Sequence, residues 1–426
     1  EGELRGDVPS GTSVRPIKEE DFEDRSILEV KFEDAENVLF GKRFYMDHGF
    51  DLVTSSYGDI GLEHKIDISD KKYIYRQTNP FADFGGTLKN TNLEDEVKLR
   101  NITNVVSLTL QNNILGQLAV NGGHTYYNYG YNSLVFIGEQ AVSNRLRGQN
   151  YSAGAQYSNI LGPVSVYGNA MVNLLGDFSG HFLTAGAQYQ LNPQNIVNVE
   201  INSNERAPNF NFLLYQSDYL NYNWQNDLEN EASRVLSASL TSSLFANIEA
   251  SLTQVDNYTY FGVPEESGIK PLQYSGVLNY LKIKAQREFT YGKFSLDNTF
   301  MYQKVTEGGT VFNVPDFVTR NSLYFSDHLF KRALFLQTGF TFKYFTAYNM
   351  DAYDPVLAEF YVQNESEFGN YPVVDFFFNG KIRQTRIFFK LEHLNSLLTG
   401  NNNFIAPGYP QRDFMVRFGL VWNFFL

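Results

Sequence analysis

The 426-residue sequence contains no cysteine, only two tryptophans and no long apolar run. Without cysteine the chain cannot form disulfides, zinc–thiolate sites or iron–sulfur clusters, and it cannot use a cysteine nucleophile. A membrane-spanning helix needs roughly 18 consecutive apolar residues, and no stretch approaches that length. These absences exclude disulfide scaffolds, thiolate metalloproteins and helical membrane proteins.

Charged residues are also scarce, at 19% of the chain, and the basic ones are outnumbered. Lys and Arg total 34 against 47 Asp and Glu, so the net charge is −13. Nucleic-acid binding relies on clustered Lys and Arg, and no such block stands out along the chain. The composition therefore argues against a nucleic-acid partner.

Aromatic and small residues, by contrast, are abundant, and apolar and polar positions alternate. The chain has 28 Tyr, 37 Phe and 33 Gly, which is too aromatic for a disordered protein. Near the C-terminus, Phe418, Leu420 and Trp422 alternate with Arg417 and Gly419. This period of two indicates strands with one apolar and one polar face. Similar alternation recurs in the segments 150–158, 183–191, 336–344 and 386–392.

Strand length and loop length separate a membrane barrel from a soluble sheet. Most alternating runs cover about 10 to 14 residues. A tilted strand needs about 9–11 residues to cross the hydrocarbon layer, whereas globular strands average about 5–6. Short and long connections also alternate along the chain, as at 289–292 and 305–317. The sequence therefore predicts an all-β fold, a transmembrane antiparallel β-barrel of about 18 strands with short periplasmic turns and long extracellular loops.

We expect the barrel to occupy residues 26–426, with its first strand beginning near residue 26. Residues 1–25 are acidic and contain Gly and Pro, which predicts a flexible segment in the periplasm or the lumen. Tyrosines near the extracellular strand ends, including Tyr127, Tyr129 and Tyr131, are expected to join the aromatic girdle at the membrane interface.

Several segments resemble a known family. They are DAENVL at 34–39, RAPNFNFLLYQSDY at 206–219, DNYTYF at 256–261 and RFGLVWNFF at 417–425, and they are similar to segments of the putative porins of Bacteroidota outer membranes. The Arg-Ala-Pro element at 206–208 and the loop at 407–410 also resemble barrels of TonB-dependent transporters. The resemblance implies a Gram-negative outer-membrane barrel and a shared barrel ancestry, but not a shared transport chemistry.

The N-terminus differs from the pattern of that family. Its members usually carry a further section before the DAENVL element, and this chain begins at Glu1 without a signal peptide. We therefore expect residue 1 not to be the start of the translated product, with additional strands in a longer barrel. No plug domain and no TonB box is recognisable in the sequence.

The sequence predicts no catalytic residue, no metal site and no cofactor. The six histidines are scattered without metal-ligand spacing, and no nucleophile elbow or phosphate loop is present. Ser326, Asp327 and His328 are consecutive, so on a strand their side chains point to opposite faces and cannot form a triad.

The loop 347–371 is rich in acids, among them Asp351, Asp354 and Glu359. Carboxylates of this kind could bind calcium. A solvated acidic loop is the simpler interpretation, and it is the one that we expect.

Charged side chains occupy the polar positions of several strands and are expected to face the lumen. The pore-lining candidates are Lys282, Lys284, Lys343, Asp375, Arg386, Lys390, Glu392 and Arg417. Opposed charges across a pore orient and select solutes. The alternative is that interior ion pairs only hold the wall together.

The loop 206–231 is unusually hydrophobic for an extracellular loop. Its candidate residues are Phe210, Phe212, Leu214, Tyr215, Tyr219, Tyr222 and Trp224. Exposed apolar patches usually mark an interface. The loop is therefore expected either to fold into the lumen as a constriction or to dock a partner protein.

The leading functional hypothesis is an outer-membrane channel for passive or weakly selective passage of small solutes, because a barrel of this size encloses a wide lumen. One alternative is a non-conducting accessory barrel in a larger outer-membrane complex. Another is a transporter barrel of the TonB-dependent type whose plug lies outside this chain. The expected partners are outer-membrane lipid, the barrel-assembly machinery during biogenesis, and other outer-membrane proteins bound through extracellular loops.

Overall fold

Seventeen strands form one antiparallel sheet in the computed structural model of the protein. The structure describes residues 35–137, 140–264, 268–400 and 403–422. Each strand of the sheet pairs with the next sheet strand along the chain, which makes an up-and-down meander. The all-β antiparallel prediction is confirmed, and the number of strands agrees with the expected value of about 18.

The sheet strands are numbered here in chain order. The first eight are β1 Ala35–Ser55, β2 Gly58–Gln77, β3 Leu93–Asn112, β4 Gly116–Tyr131, β5 Arg145–Leu161, β6 Val164–Gly176, β7 His181–Asn192 and β8 Asn195–Arg206. The other nine are β9 Glu231–Ser242, β10 Asn247–Asp256, β11 Val277–Tyr291, β12 Phe294–Glu307, β13 Phe317–Leu329, β14 Leu334–Phe345, β15 Val373–Ile382, β16 Thr385–Glu392 and β17 Met415–Trp422.

Strands β1 and β17 are the edges of the sheet, and each pairs with a single neighbour in the part of the chain that the structure describes. The predicted acidic segment 1–25 and the predicted strand start near residue 26 lie outside the described residues.

Short turns alternate with long loops along the sheet, as predicted. Residues 292–293 join β11 to β12, whereas residues 207–230 join β8 to β9 and residues 346–372 join β14 to β15. Gly292 has a φ of +61°, a left-handed conformation that glycine adopts without steric cost. In outer-membrane barrels the short turns are periplasmic and the long loops extracellular.

The two faces of the sheet differ in polarity because successive side chains on a strand point to opposite sides. On β17, Phe418, Leu420 and Trp422 share one face and are 82%, 61% and 56% exposed. On β15, Asp375 lies on the other face and is buried. Lipid covers such apolar surface in a membrane barrel. The apolar side is called the lipid face below, and the polar side the lumen face.

The loops carry small elements of their own. Two-residue to four-residue strand pairs are Val135–Ile137 with Gln140–Val142, Leu214–Tyr215 with Trp224–Gln225, Thr259–Gly262 with Lys270–Gln273, Tyr348–Asn349 with Glu367–Phe368, Ala352–Asp354 with Glu359–Tyr361, and Phe404–Ala406 with Tyr409–Pro410. The helices are the single turns α1 Phe210–Leu213 and α2 Ser396–Thr399 and the 3-10 turn Ala82–Phe84. No helix within the described ranges has both the length and the apolar character needed to span a membrane.

The most tightly packed apolar side chains lie at the extracellular end of the sheet. They form one cluster that joins the ends of β1–β4 to several long loops. Tyr75, Leu214, Tyr219 and Val356 are fully buried in it. The candidate site is built around this cluster.

Candidate functional site

The loop between β8 and β9, residues 207–230, is called the mouth loop. After Arg206 it forms α1, and then Leu214–Tyr215 pairs with Trp224–Gln225 to close a compact turn. The Trp224 indole donates a hydrogen bond to the backbone oxygen of Asn211 over 2.9 Å, which ties the two sides of the turn together. Such internal bonding gives the loop a defined shape.

The mouth loop packs against the lumen face of β4. Tyr127, Tyr129 and Tyr131 occupy the same face of this strand as Asn121, because alternate residues share a face. The Phe210 ring stacks on Tyr127 and Tyr129 with centroid distances of 5.2 and 5.3 Å. The loop therefore turns inward, over the lumen, instead of projecting away from the sheet.

This packing corrects one expectation for the aromatic girdle. Tyr127, Tyr129 and Tyr131 are 5%, 7% and 2% exposed, so they do not stand at the membrane interface. Strand-end tyrosines look alike in sequence whichever face they occupy. The physical difference is that these three are covered by a loop that lies far away along the chain.

Polar contacts fix the tip of the mouth loop to β2 and β3. The Ser217 hydroxyl and the Asp218 backbone N–H donate hydrogen bonds to the Asp95 carboxylate, the latter over 2.7 Å. The Tyr219 hydroxyl donates to the side-chain oxygen of Gln77. Lys89 forms an ion pair with Asp218 at 2.7 Å. The tip thus bridges from β8 and β9, in the middle of the meander, to β2 and β3 near its N-terminal end.

The loop between β14 and β15, residues 346–372, is called the acidic loop, and it meets the mouth loop at the same place. The Tyr215 hydroxyl donates to the backbone oxygen of Val356, and the Tyr222 hydroxyl donates to Asp354 Oδ2, both over 2.7 Å. The Asn211 amide donates to Glu359 over 2.7 Å. Three donors of the mouth loop therefore find acceptors on the acidic loop.

The expectation of a solvated acidic loop is wrong for Asp354, which is 2% exposed. Burial raises the pKa of Asp354 to about 6, although hydrogen bonds from the backbone of Leu357 and from Tyr222 oppose that rise. Burial also raises the pKa of Asp351 to about 6. Sequence composition alone cannot anticipate this, because the groups that cover Asp354 come from a different loop.

Two further contacts connect the acidic loop to β1 and the mouth loop to a third long loop. The Asn37 amide on β1 donates to the backbone oxygen of Pro355 over 3.1 Å. The Phe212 ring stacks on Phe261, from the loop between β10 and β11, with centroids 4.4 Å apart. The extracellular end thus brings together the ends of β1–β4 and four long loops, which together are called the mouth cluster. The loops are residues 78–92, 207–230, 257–276 and 346–372.

All seven candidate residues of the loop lie in or against the mouth cluster. Leu214, Tyr215, Tyr219, Tyr222 and Trp224 are buried within it, and Phe210 and Phe212 are partly buried against it. Whether the loop constricts the lumen or docks a partner protein stays a prediction.

The lumen face of β14–β17 carries a chain of ion pairs. Asp375 Oδ2 lies 2.6 Å from Lys343 Nζ and 3.3 Å from Lys390 Nζ, and Asp375 Oδ1 accepts from the His393 backbone N–H over 3.1 Å. Lys390 also contacts Glu392 at 2.6 Å. Only 2% of the Asp375 side chain is exposed, so this carboxylate is held by direct partners in place of water.

The remaining lumen candidates are less connected. Arg417 Nε lies 2.8 Å from Glu392 Oε2 and extends the chain of ion pairs onto β17. Lys282 forms a separate pair with Glu249 at 3.1 Å. Within the described ranges, Lys284 and Arg386 have no ion-pair partner. The structure therefore brings five of the eight candidates together and leaves three apart.

A second group of lumen charges lies on β1 and β2 and was missed by the sequence reasoning. Arg43 Nε donates to Asp67 Oδ1 over 3.0 Å, and Lys65 lies 3.5 Å from both Asp47 and Glu63. The period-two alternation that predicts a lumen face is present here too, since these charged residues alternate with apolar neighbours such as Phe44. The pattern is, however, least distinct in the first strands of the barrel.

The side chains of Ser326, Asp327 and His328 do not converge, as the strand geometry predicts. Asp327 forms an ion pair with Lys293 at 2.5 Å, so its carboxylate is engaged on the face away from Ser326 and His328. Among the residues with described positions, no group of three or more His, Asp or Glu side chains is arranged to hold a metal ion. The expectation that the protein needs no metal stays a prediction.

Solved outer-membrane barrels share this fold. The siderophore receptor PirA from Acinetobacter baumannii matches with a TM-score of 0.64 at 11% identity, over 94% of this chain and 64% of that receptor. A mutant ferric enterobactin receptor PfeA from Pseudomonas aeruginosa matches with a TM-score of 0.64 at 11% identity, over 92% and 62%. The copper transporter OprC matches with a TM-score of 0.61 at 10% identity, over 85% and 61%.

The chain thus spans less than two thirds of the length of these receptors, and identities this low report the fold alone. No curated protein sequence matches the chain. The profile of the putative porin family, however, matches residues 10–426. The sheet, its lipid face and this match agree with one another, and the chain therefore belongs to the putative porin family of outer-membrane β-barrels.

Proposed function

We propose that this protein is an outer-membrane channel for small polar solutes and that the mouth loop sets the width of its extracellular entrance. The supporting observation is that the mouth loop lies on the lumen face of β2–β4, where Phe210 stacks on Tyr127 and Tyr129. A loop in that position narrows the path for anything that enters from outside.

The charged side chains of the lumen face support passage of polar solutes. Charged side chains of both signs line β1–β2 and β14–β17, and many of them retain solvent contact, such as Arg417 at 45% exposure of its side chain. Lys284 and Arg386 add positive charge without an ion-pair partner among the described residues. Fixed charges at close range favour hydrated ions and polar molecules over apolar ones.

The entrance should open by movement of the loops, because the mouth loop is held by side-chain contacts and a few loop-to-loop hydrogen bonds, such as that from the Leu88 N–H to the Asp218 oxygen over 2.7 Å, and not by pairing with the strands of the large sheet. Each buried aromatic contributes about 1.5–3 kcal/mol relative to an exposed one. Several of these side chains must be exposed together before the entrance can open, so the open arrangement costs free energy. We therefore propose a closed resting state from which the mouth loop is displaced.

A variant that weakens only the mouth loop tests this function. We would substitute Phe210, Tyr215, Tyr219 and Trp224 together by Ser and record single channels in planar bilayers. The matched control substitutes four exposed apolar residues of other long loops by Ser, namely Leu134, Val263, Leu397 and Leu398, which are 51%, 56%, 62% and 90% exposed. The channel function predicts a several-fold larger conductance for the first variant and wild-type conductance for the control.

A second function fits the same cluster. A barrel whose mouth is permanently closed would serve as a non-conducting accessory subunit of a larger outer-membrane complex. In that case neither the wild type nor the mouth-loop variant conducts, and a partner co-purifies from native membranes. Conductance of the wild type alone would exclude this second function.

A third function rests only on the shared fold with receptor barrels. A plug contributed from outside this chain would make it a transporter barrel of the TonB-dependent type. This function predicts that conductance of the mouth-loop variant falls when a plug domain is supplied to the barrel.

A further inference from the structure

The lipid face of β1–β5 changes character towards its extracellular end. Over nine residues of β2 this face is apolar apart from one histidine, since it carries Ile60, Leu62, His64, Ile66 and Ile68. A tilted strand needs about 9–11 residues to cross the hydrocarbon layer. The next residues on the same face, beginning with Asp70, therefore lie at the level of the lipid headgroups.

Two rows of residues cross the five strands at this level. The register aligns Lys42, Asp70, Arg100, Asn128 and Arg147 in the first row. It aligns Phe40, Lys72, Lys98, Gly130 and Arg145 in the second row, one step further from the membrane centre. The two rows hold six cations and one carboxylate, although the protein as a whole has a net charge of −13.

Only part of this positive charge is neutralised within the protein. Arg100 pairs with Asp70 at 2.6 Å, and Lys72 and Lys98 share Glu96. Lys42, Arg145 and Arg147 are exposed and have no ion-pair partner in the described part of the chain. The Arg145 guanidinium donates a hydrogen bond to the uncharged Asn128 side chain over 3.3 Å. Three cations are therefore available to an external anion.

A groove follows the two rows. Its volume is about 570 Å³, and its lining includes Phe40, Lys42, Lys72, Lys98, Arg100 and Arg145. It opens on the lipid face directly beside the apolar band of β1 and β2. A ligand in this groove meets cations at one end and the hydrocarbon layer at the other.

We propose that this basic groove binds the phosphate groups of a phosphorylated glycolipid of the outer leaflet. Guanidinium groups bind phosphate oxygens in pairs, and lysines add point charges. Clusters of Lys and Arg beside a membrane bind anionic headgroups. The groove joins cations to an apolar surface, and among phosphorylated ligands only an amphiphile uses both, so a lipid is favoured over a free phosphate ion.

This proposal is independent of whether the barrel conducts. The acyl chains would lie along the lipid face of β1 and β2, and the phosphates would bridge β1 to β5. A lipid in this position would stabilise the edge of the sheet at β1, and it would do so equally in a channel and in an accessory barrel.

Binding of purified protein to lipid A in detergent tests the proposal. The variant carries Lys42→Gln, Arg145→Gln and Arg147→Gln, which remove the three available cations and leave the ion pairs intact. The control carries Lys331→Gln, Arg332→Gln and Arg383→Gln, which remove three cations from the short turns at the opposite end. Far-ultraviolet circular dichroism verifies that both variants keep the strand content of the wild type.

The expected result is a loss of lipid A affinity on the order of a hundredfold in the variant, with wild-type affinity in the control. Dephosphorylated lipid A should bind the wild type about as weakly as lipid A binds the variant. Equal affinity of variant and wild type for lipid A would overturn the proposal, and so would an equal loss in the control. Inorganic phosphate that competes at the affinity of lipid A would also overturn it, because the site would then bind a free anion.

Discussion

The Tyr222 hydroxyl donates a hydrogen bond to Asp354 Oδ2 over 2.7 Å, and the two residues are separated by 132 positions in the chain. Both side chains are buried, at 4% and 2% exposure. This contact joins the mouth loop to the acidic loop at a point that solvent does not reach. Its strength should therefore influence whether the extracellular entrance stays closed.

Removing this hydroxyl should loosen the mouth cluster. Tyr222→Phe leaves the buried Asp354 with one fewer donor, and such a loss costs about 1–3 kcal/mol. We expect more frequent channel openings in single-channel records. Tyr291→Phe, in a turn where the ring is 90% exposed, is the control and should behave as the wild type. Identical opening frequencies for Tyr222→Phe and the wild type would show that this bond does not hold the entrance.

The closed entrance should be most stable at acidic pH. Burial raises the pKa of Asp354 from 3.8 to about 6, so the closed state binds a proton more tightly than the open, solvated state. The stabilisation is fully present below about pH 4 and is lost as the pH rises through 6, with a total of about 3 kcal/mol. We expect conductance to increase from pH 4 to pH 7, and Asp351 should add to the change in the same direction.

Asp354→Asn separates this effect from other titrations. An amide cannot ionise, and it can still accept from the Leu357 backbone N–H and bond to the Tyr222 hydroxyl. The variant should stay closed to higher pH and lose much of the rise in conductance. An unchanged pH profile in this variant would assign the titration to other groups.

The ion pairs of the lumen face should contribute unequally to stability. Asp375→Asn leaves Lys343 and Lys390 close together without their shared carboxylate, and because both lysines are more than a third exposed we expect a cost of about 1–3 kcal/mol, below that of a fully buried pair. Asp316→Asn breaks the exposed pair with Lys304, which contributes about 0–1 kcal/mol. Heat-induced loss of the folded form should therefore occur at a clearly lower temperature for the first variant only. Similar temperatures for both would mean that Asp375 is not a structural anchor.

Truncating lumen cations should change ion selectivity. Arg386→Ala with Lys390→Ala removes two positive charges from the lumen face of β16 and leaves Glu392 with Arg417. We expect the reversal potential in a salt gradient to shift towards cation selectivity. Lys42→Ala with Arg147→Ala removes the same charge from the lipid face and should leave the reversal potential unchanged. An unshifted potential in the first variant contradicts a pore-lining role.

The sequence determined the sheet and its two faces. Strand length, period-two alternation as at Phe418 and Leu420, and the sequence of short and long connections are local properties, so they can be read without tertiary information. The same alternation assigned Lys343, Asp375, Lys390 and Glu392 to one face, because strand geometry fixes which residues share a side. It did not reveal the pairing of Asp375 with two lysines, which depends on the register of three strands.

The tertiary structure decided what the loops do. The hydrophobic run of the mouth loop was visible in the sequence, but its inward direction depends on contacts with Asp95, Gln77 and Asp354, which lie more than 100 residues away. The burial of Asp354 and the covering of Tyr129 have the same cause. The basic groove of β1–β5 likewise exists only because the strand register aligns cations from separate strands. Local patterns fix which face a strand residue occupies, whereas long-range packing fixes which residues meet above the sheet.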